Sequence, residues 1–344
     1  MRFPVSARVA RPAFILAGLA AASLGALAQE SAQVTTIGAP GAAAAAAGPR
    51  GILWKNDPQS IAEHPTGVAA QRAAAQAALE TALVRPQASS KTLAYYGGPV
   101  VKNIKVIQVL YGSGTYQSFV QGTGSGTMAA FYGGVIGSPF FTWLNGDYGS
   151  SSGKTTQTIG YGSFSGQVTI TPSSSRNGST ITDAQIQAEL AAQIAAGHLA
   201  APNANTYYAV FFPKGKKINQ GGSNSCASGG FCAYHGTVVG SSATWTYGVH
   251  PDNSSGSGCD SGCGSSTAFN NMSSVASHEM IETVTDPDVG IATTYASPLA
   301  WYNKTYGEIG DICNASQGKV VGTDGVTYTV QTEWSNSKSA CRAQ

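Results

Sequence analysis

Asn270 to Pro287 reads NNMSSVASHEMIETVTDP, and the spacing of its apolar residues is that of a helix. Met272, Val275, Ile281 and Val284 supply an inner apolar side. Asp286-Pro287 ends the segment, because proline disfavours helical backbone in the residue before it. His278 and Glu282 stand four residues apart on this helix, one turn from each other on one face, the spacing at which two side chains share one metal ion.

Glu279 lies between them, at the place where an HExxH metalloprotease carries the general base that takes a proton from metal-bound water. Glu282 stands where that motif has its second histidine. A carboxylate is a legitimate zinc ligand, so the pair needs a third protein ligand from elsewhere and leaves one position for water. Glu308 in the run GEIGDIC is the favoured third ligand, with Asp286 and Asp311 orienting it or holding the helix end. Glu279, Glu282, Asp286, Asp288, Glu308 and Asp311 fall within 33 residues in a chain with only 17 acidic groups, and Trp301, Tyr302 and Tyr306 lie among them. Such crowding is costly by mutual repulsion unless a cation neutralises it. Calcium is the rival to zinc, since four of these groups are hard oxygen donors, whereas the histidine at the head of the motif favours zinc. Tyr302 or His250 is the expected stabiliser of a developing oxyanion. His235 and His250 are expected to line the cleft or to serve as structural hydrogen-bonded residues; His64 and His198 read as surface residues. No GxSxG elbow and no GxxxxGK[ST] phosphate loop occurs, which disfavours serine-nucleophile and nucleotide chemistry.

Outward from the helix, Asn103 to Tyr111 and Thr206 to Phe212 have the β-branched and aromatic richness of buried strands. Thr155 to Thr171 alternates as a strand, and Ala243 to Val249 is strand-like. Helical pieces are expected at Tyr116 to Val120 and Thr127 to Val135, and a capped helix runs from Thr182-Asp183 to a stop at Gly197. The order predicts one mixed α/β domain, 96–344, of zincin-like arrangement, with a mixed sheet, an active-site helix and a disulfide-stapled C-terminal third.

Residues 1–28 carry Arg2, Arg8 and Arg11, an apolar stretch from Ala13 to Leu24 and the end Ala26-Leu27-Ala28, the three-part pattern of a cleaved export signal. Residues 29–95 read as a low-complexity leader or propeptide, with an Ala-rich helix from Val68 to Val84. Of 19 basic residues three fall in the signal, so 16 remain against 17 acidic ones, a net charge of −1. That gives no electrostatic claim on nucleic acid, and no stretch predicts a membrane span. The six cysteines all lie in the last third of an exported chain, so disulfides are expected. The preferred pairs are Cys226 with Cys232, Cys259 with Cys263, and Cys313 with Cys341.

KVIQVLYGSGTY from Lys105, FCAYHGTV from Phe231, the SHEMIETVTDP helix and WYNKTYGEIGDIC ahead of Cys341 together resemble the exordium, or phosphate-induced, family of secreted, cell-wall-associated proteins in its bacterial branch. The likeness spans about Leu93 to Cys341. It implies export to the extracellular space or periplasm and a cell-wall context. With the His278-to-Glu282 motif, the expectation is a secreted zinc metallopeptidase acting on extracellular peptide or protein. The alternative is a non-catalytic cell-wall binding or signalling module with structural calcium. Sequence leaves the oligomeric state and the substrate open.

Overall fold

A computed structural model describes residues 51–57, 59, 91–240 and 243–344. The export signal, most of the leader, its Ala-rich helix and His64 lie outside the described residues. The described chain is mixed α/β. Its main sheet holds six strands, β1 (Ile52–Trp54), β3 (Lys105–Tyr111), β4 (Ser163–Ile170), β6 (Thr206–Phe211), β9 (Phe231–Val239) and β10 (Thr244–His250), in the order β1-β9-β10-β6-β3-β4. β4, β3, β6 and β10 run parallel, while β9 and β1 reverse in turn. The short pairs β2 (Ala94–Tyr95) with β11 (Trp301–Tyr302), β5 (Thr180–Thr182) with β7 (Lys217–Gln220) and β8 (Ser223–Asn224), β12 (Gln317–Val321) with β13 (Thr327–Gln331), and β14 (Glu333–Ser335) with β15 (Ala340–Arg342) surround it.

Alternation along the strands divides two apolar layers. In β6, Tyr207, Ala209 and Phe211 face one layer, while Tyr208 and Val210 face the other. The first layer receives the short helices α1 (Ser118–Gln121), α2 (Met128–Val135), α3 (Pro139–Thr142) and α4 (Leu144–Tyr148). The second receives α5 (Asp183–Ala195), whose Ile186 and Leu190 pack there. α5 begins on a capping box: Thr182 accepts from Gln185 N–H and the Gln185 side chain accepts from Thr182 N–H. It stops at Gly197, whose φ of +75° is the left-handed conformation a side chain disfavours. Between Thr155 and Thr171 only Ser163–Ile170 is strand, and the stretch before it connects without pairing.

α6 (Ala268–Thr285) is the helix read from the sequence, capped by Thr267 accepting from Asn270 N–H. It is buried from Asn271 to Thr285 because it lies between the sheet and β13. Its small residues permit that approach: Ser273 Oγ donates to Thr329 O at 2.8 Å, and Gln331 N–H donates to Ser277 Oγ at 2.8 Å. Met272, Ala276, Met280, Ile281 and Val284 join the first apolar layer.

The disulfides correct two expected pairs. Cys226 bonds Cys259 and Cys232 bonds Cys263, whereas Cys313 bonds Cys341 as read. The turn between Cys226 and Cys232 is closed by backbone, Cys226 N–H to Phe231 O and Gly230 N–H to Ala227 O, both at 3.0 Å. Its sulfurs therefore tie it to the separate 259–263 loop, and longer loops closed by a bridge restrict the unfolded chain more. The leader also contributes order: β1, from within the stretch read as low complexity, pairs with β9. No helix among the described residues is long and apolar enough to cross a membrane.

Candidate metal centre

Three elements meet at the carboxylate of Glu282. α6 presents His278 and Glu282 from one face, with His278 Nε2 3.0 Å from Glu282 Oε1. β9 presents His235, whose Nδ1 lies 3.1 Å from Glu279 Oε2 and 3.5 Å from Glu282 Oε2. The connection after β11 presents Glu308, whose Oε1 lies 3.6 Å from His235 Nε2. Two ligand-bearing triads result, His235 with Glu282 and Glu308, and His278 with Glu279 and Glu282, each with donor atoms within 4.8 Å of one another. Glu282 is common to both. All five side chains are buried.

The strand pattern explains why His235 arrives here. Tyr234 and Val238 of β9 face the α5 layer, so His235 and Thr237 face α6. On β10 the residue paired with His235 is Gly248, and a Cβ there would run into the hydroxyl of Tyr207. The missing side chain makes room for that hydroxyl, which has no hydrogen-bond partner and feels the charges of Glu279 and Glu282.

GEIGDIC shapes the third side of the centre. A Cβ on Gly310 would stand 2.5 Å from His278 Nδ1 and 2.9 Å from Glu282 Oε1, so only glycine lets this loop close over the helix. Gly307 has a φ of +86°, the left-handed region. Asp311 N–H donates to Glu282 Oε1 at 3.1 Å, and Asp311 Oδ2 accepts from Glu308 N–H at 3.0 Å. Asp311 thus orients the Glu282 carboxylate and holds the backbone of Glu308. Asp286 caps the end of α6, accepting from Ala300 N–H at 2.8 Å. The Gln331 side chain engages His278 Nδ1 at 2.7 Å and donates to Gly310 O at 2.9 Å, leaving His278 Nε2 toward Glu282. With Gln331 Nε2 as the donor, His278 Nδ1 accepts and the proton of the neutral ring sits on Nε2; ligation through Nε2 needs the Gln331 amide turned so that its oxygen accepts from Nδ1.

Burial dominates the electrostatics. It pushes the carboxyls of Glu279, Glu282, Glu308, Asp286 and Asp311 well above the usual range, and mutual repulsion adds to this, with Glu282 acting on Glu279, Glu308 and Asp311. Asp288, less enclosed, is raised to about 6 by burial. The same burial lowers His235 to about 3 and His278 to about 4, keeping both imidazoles neutral and available as ligands. His235 Nε2, His278 Nε2, Glu279 Oε1, Glu282 Oε2, Asp286 Oδ2 and both Glu308 oxygens have no hydrogen-bond partner. Buried polar atoms are normally satisfied, so these unpartnered imidazole and carboxylate atoms are groups that could hold a cation. In a tetrahedral zinc site with bonds near 2.0 Å, ligand atoms stand about 3.3 Å apart, and His278 Nε2 to Glu282 Oε1 at 3.0 Å and His235 Nε2 to Glu308 Oε1 at 3.6 Å are of that order.

Of the residues expected from the sequence, His278, Glu279, Glu282 and Glu308 assemble, and Asp286 and Asp311 support them. Two others do not join. His250 shares the α6 face of the sheet, but its ring stacks on Phe211 at 4.6 Å and its Nδ1 faces Val210 O at 3.2 Å. Tyr302 packs with Val289, Ala292 and Leu299, its ring 5.9 Å from that of Tyr295. His198 lies at the end of α5 against Gln193 Oε1, 2.8 Å away. Sequence reasoning underweighted His235 and missed Tyr207, Gln331 and Glu333. Glu333 is buried, both its oxygens lack partners, and repulsion from Glu282 and Asp311 adds to the effect of burial in raising its carboxyl. The available signal was alternation: polar Gln331 and Glu333 recur two apart in TYTVQTEWS, as His235 does against Tyr234.

No family model, no curated protein and no solved structure matches this chain.

Proposed function

We propose that the chain is an exported zinc-dependent hydrolase of extracellular peptide or protein, its ion seated on Glu282 with two of His235, His278 and Glu308 as companions, water in the fourth position and Glu279 as general base. The observation that carries this is the convergence of unpartnered imidazole nitrogens and carboxylate oxygens on Glu282. Imidazole favours zinc over the hard, oxygen-seeking cations. Bound zinc would supply a Lewis acid and an acidified water molecule.

Glu279 Oε1 is free of hydrogen bonds, and burial, with repulsion from Glu282, raises the proton affinity of the carboxylate well above the usual range, which favours proton uptake there. Glu279 would take the proton from the attacking water at Oε1 and pass it to the leaving amine. Tyr207, in place of Tyr302 or His250, would donate from its hydroxyl to the developing oxyanion. Gln331 and Asp311 hold the ligands in position. The three disulfides and the 1–28 pattern support export, and the exordium-like motifs support a cell-wall setting; the antiparallel β9 beside a metal-bearing helix supports a zincin-like arrangement.

A second reading is favoured by the excess of buried carboxylates over imidazoles: a calcium-holding, non-catalytic wall-binding module. Elemental analysis of the purified mature protein separates the two, with about one zinc per chain expected for the hydrolase and calcium alone for the module. Glu279→Gln should retain zinc and fold while lowering peptide hydrolysis at least 100-fold. Undiminished hydrolysis in that variant removes Glu279 from the mechanism.

A further inference from the structure

The imidazoles and carboxylates of the centre are buried in the full chain, so a polypeptide reaches them only if something moves. The leader touches the centre at Gly51. Its carbonyl accepts from His235 N–H at 3.0 Å, and a Cβ added to it would stand 2.7 Å from His235 Nδ1 and 2.8 Å from Nε2. No residue with a side chain fits there without displacing the imidazole.

β1 continues from Gly51 as the outermost strand, antiparallel to β9, with Ile52 opposite Tyr234 and Leu53 opposite Ala233. The register breaks between Leu53 and Trp54, and pairing resumes with Lys55 N–H to Gly230 O at 3.0 Å and Asn56 N–H to Gly262 O at 2.8 Å. Leu53 is buried against Ala233, Val275 and the cysteines of both crossing disulfides. Low-complexity sequence precedes this strand, Gly38 to Gly48, and an Ala-rich stretch follows it, Val68 to Val84. β9 pairs with β10 on its other side in unbroken register. Main-chain pairing at a strand edge binds an extended peptide largely regardless of sequence, and the recesses at alternate positions choose its side chains.

We infer that the β9 edge beside His235 is the polypeptide-binding site of the centre, occupied in cis by residues 51–57, with Gly51 against the imidazole and Leu53 in the recess beneath the disulfides. The ligand class is an extended chain with glycine facing His235 and a large aliphatic residue two positions on. Displacing the leader strand opens the centre. That this site feeds a hydrolytic centre rests on the function proposed above; the binding itself does not.

Two forms of the zinc-supplemented full chain test it, Gly51→Val and a chain nicked after folding at a site-specific protease sequence placed within residues 61–70. The probe is a labelled peptide of residues 51–57, GILWKND, with a version carrying aspartate in place of its leucine. We expect both forms to bind GILWKND at least tenfold more tightly than the intact wild type does, and to bind the aspartate version at least tenfold more weakly than GILWKND. Peptide hydrolysis should rise at least tenfold in Gly51→Val. Binding without any hydrolysis sustains the inference and sinks the hydrolase reading. Measurable hydrolysis that is equal in wild type and Gly51→Val, or no peptide binding by either form, overturns the inference while sparing the hydrolase. Unfolding of both forms, seen as lost amide protection throughout β9 and β10, makes β1 an ordinary member of the sheet and likewise overturns it.

Discussion

Single atoms decide whether the centre can hold an ion. Gly310 is the most exacting position, because a methyl group there meets both a candidate ligand nitrogen and a candidate ligand oxygen. Gly310→Ala should weaken zinc binding at least tenfold, measured by competition with a chromogenic chelator; unchanged affinity would show that the loop yields freely. His250 offers a second titration, its ring stacked on Phe211 and its Nδ1 facing Val210 O. Burial lowers it from 6.5 to about 4. Its folded value is depressed, so its contribution to stability is complete above the unfolded value and is lost as pH falls through about 4. His250→Phe should flatten the acid arm of the stability curve between pH 6.5 and 4, followed by denaturant unfolding at stepped pH. An arm as steep as that of the wild type would assign the acid lability to other groups.

The centre is also a problem of joining elements. α6 would supply Glu282, His278 and the base, yet Gln331 on β13 contacts His278 and Asp311 fixes Glu282. Loss of such outer partners typically costs 10- to 100-fold in metal affinity. Gln331→Leu is therefore expected to weaken zinc binding by about that factor while the helical circular dichroism persists. A variant binding zinc as tightly as the wild type would show that packing alone orients His278. The crossed disulfides brace the start of β9, joining Cys226 in the turn before it and Cys232 within it to the loop ahead of α6. Cys232→Ser with Cys263→Ser should cost roughly 2–4 kcal/mol of stability in urea unfolding. A smaller loss would mean that the sheet holds β9 without them.

At the scale of the molecule, the proposed ion would couple its binding to folding, because burial and mutual repulsion disfavour charge on six buried carboxylates, Glu333 among them, and a cation would offset both. Metal held by the folded chain and not by the unfolded one stabilises it by about 2.7 kcal/mol when free metal is 100 times the dissociation constant. Chelation should lower Tm by several degrees and restoring zinc should recover it. A Tm indifferent to chelator would leave the carboxylates as protonated structural groups and end the metal proposal.

How much of this was legible differs from element to element. α6, α5 and the strands β3, β6 and β10 could be read because each carries its own period, caps or breakers, and local periodicity survives into the fold. His278, Glu279 and Glu282 were legible for the same reason, since one turn of helix fixes their relation whatever surrounds them. The remaining partners come from β9, the GEIGD loop and β13–β14, and their approach is set by sheet order, by Gly248 and Gly310 leaving space, and by crossed disulfides. None of these has a signature along the chain: pairing across about 30 residues depends on which loops meet, and a short strand such as β1 forms only because an edge of β9 awaits it. The sequence by itself determined the helix and the chemistry written on one face of it; only the tertiary structure chose His235 over His250, since strand alternation and register, properties of the assembled sheet, decide which imidazole reaches the carboxylates.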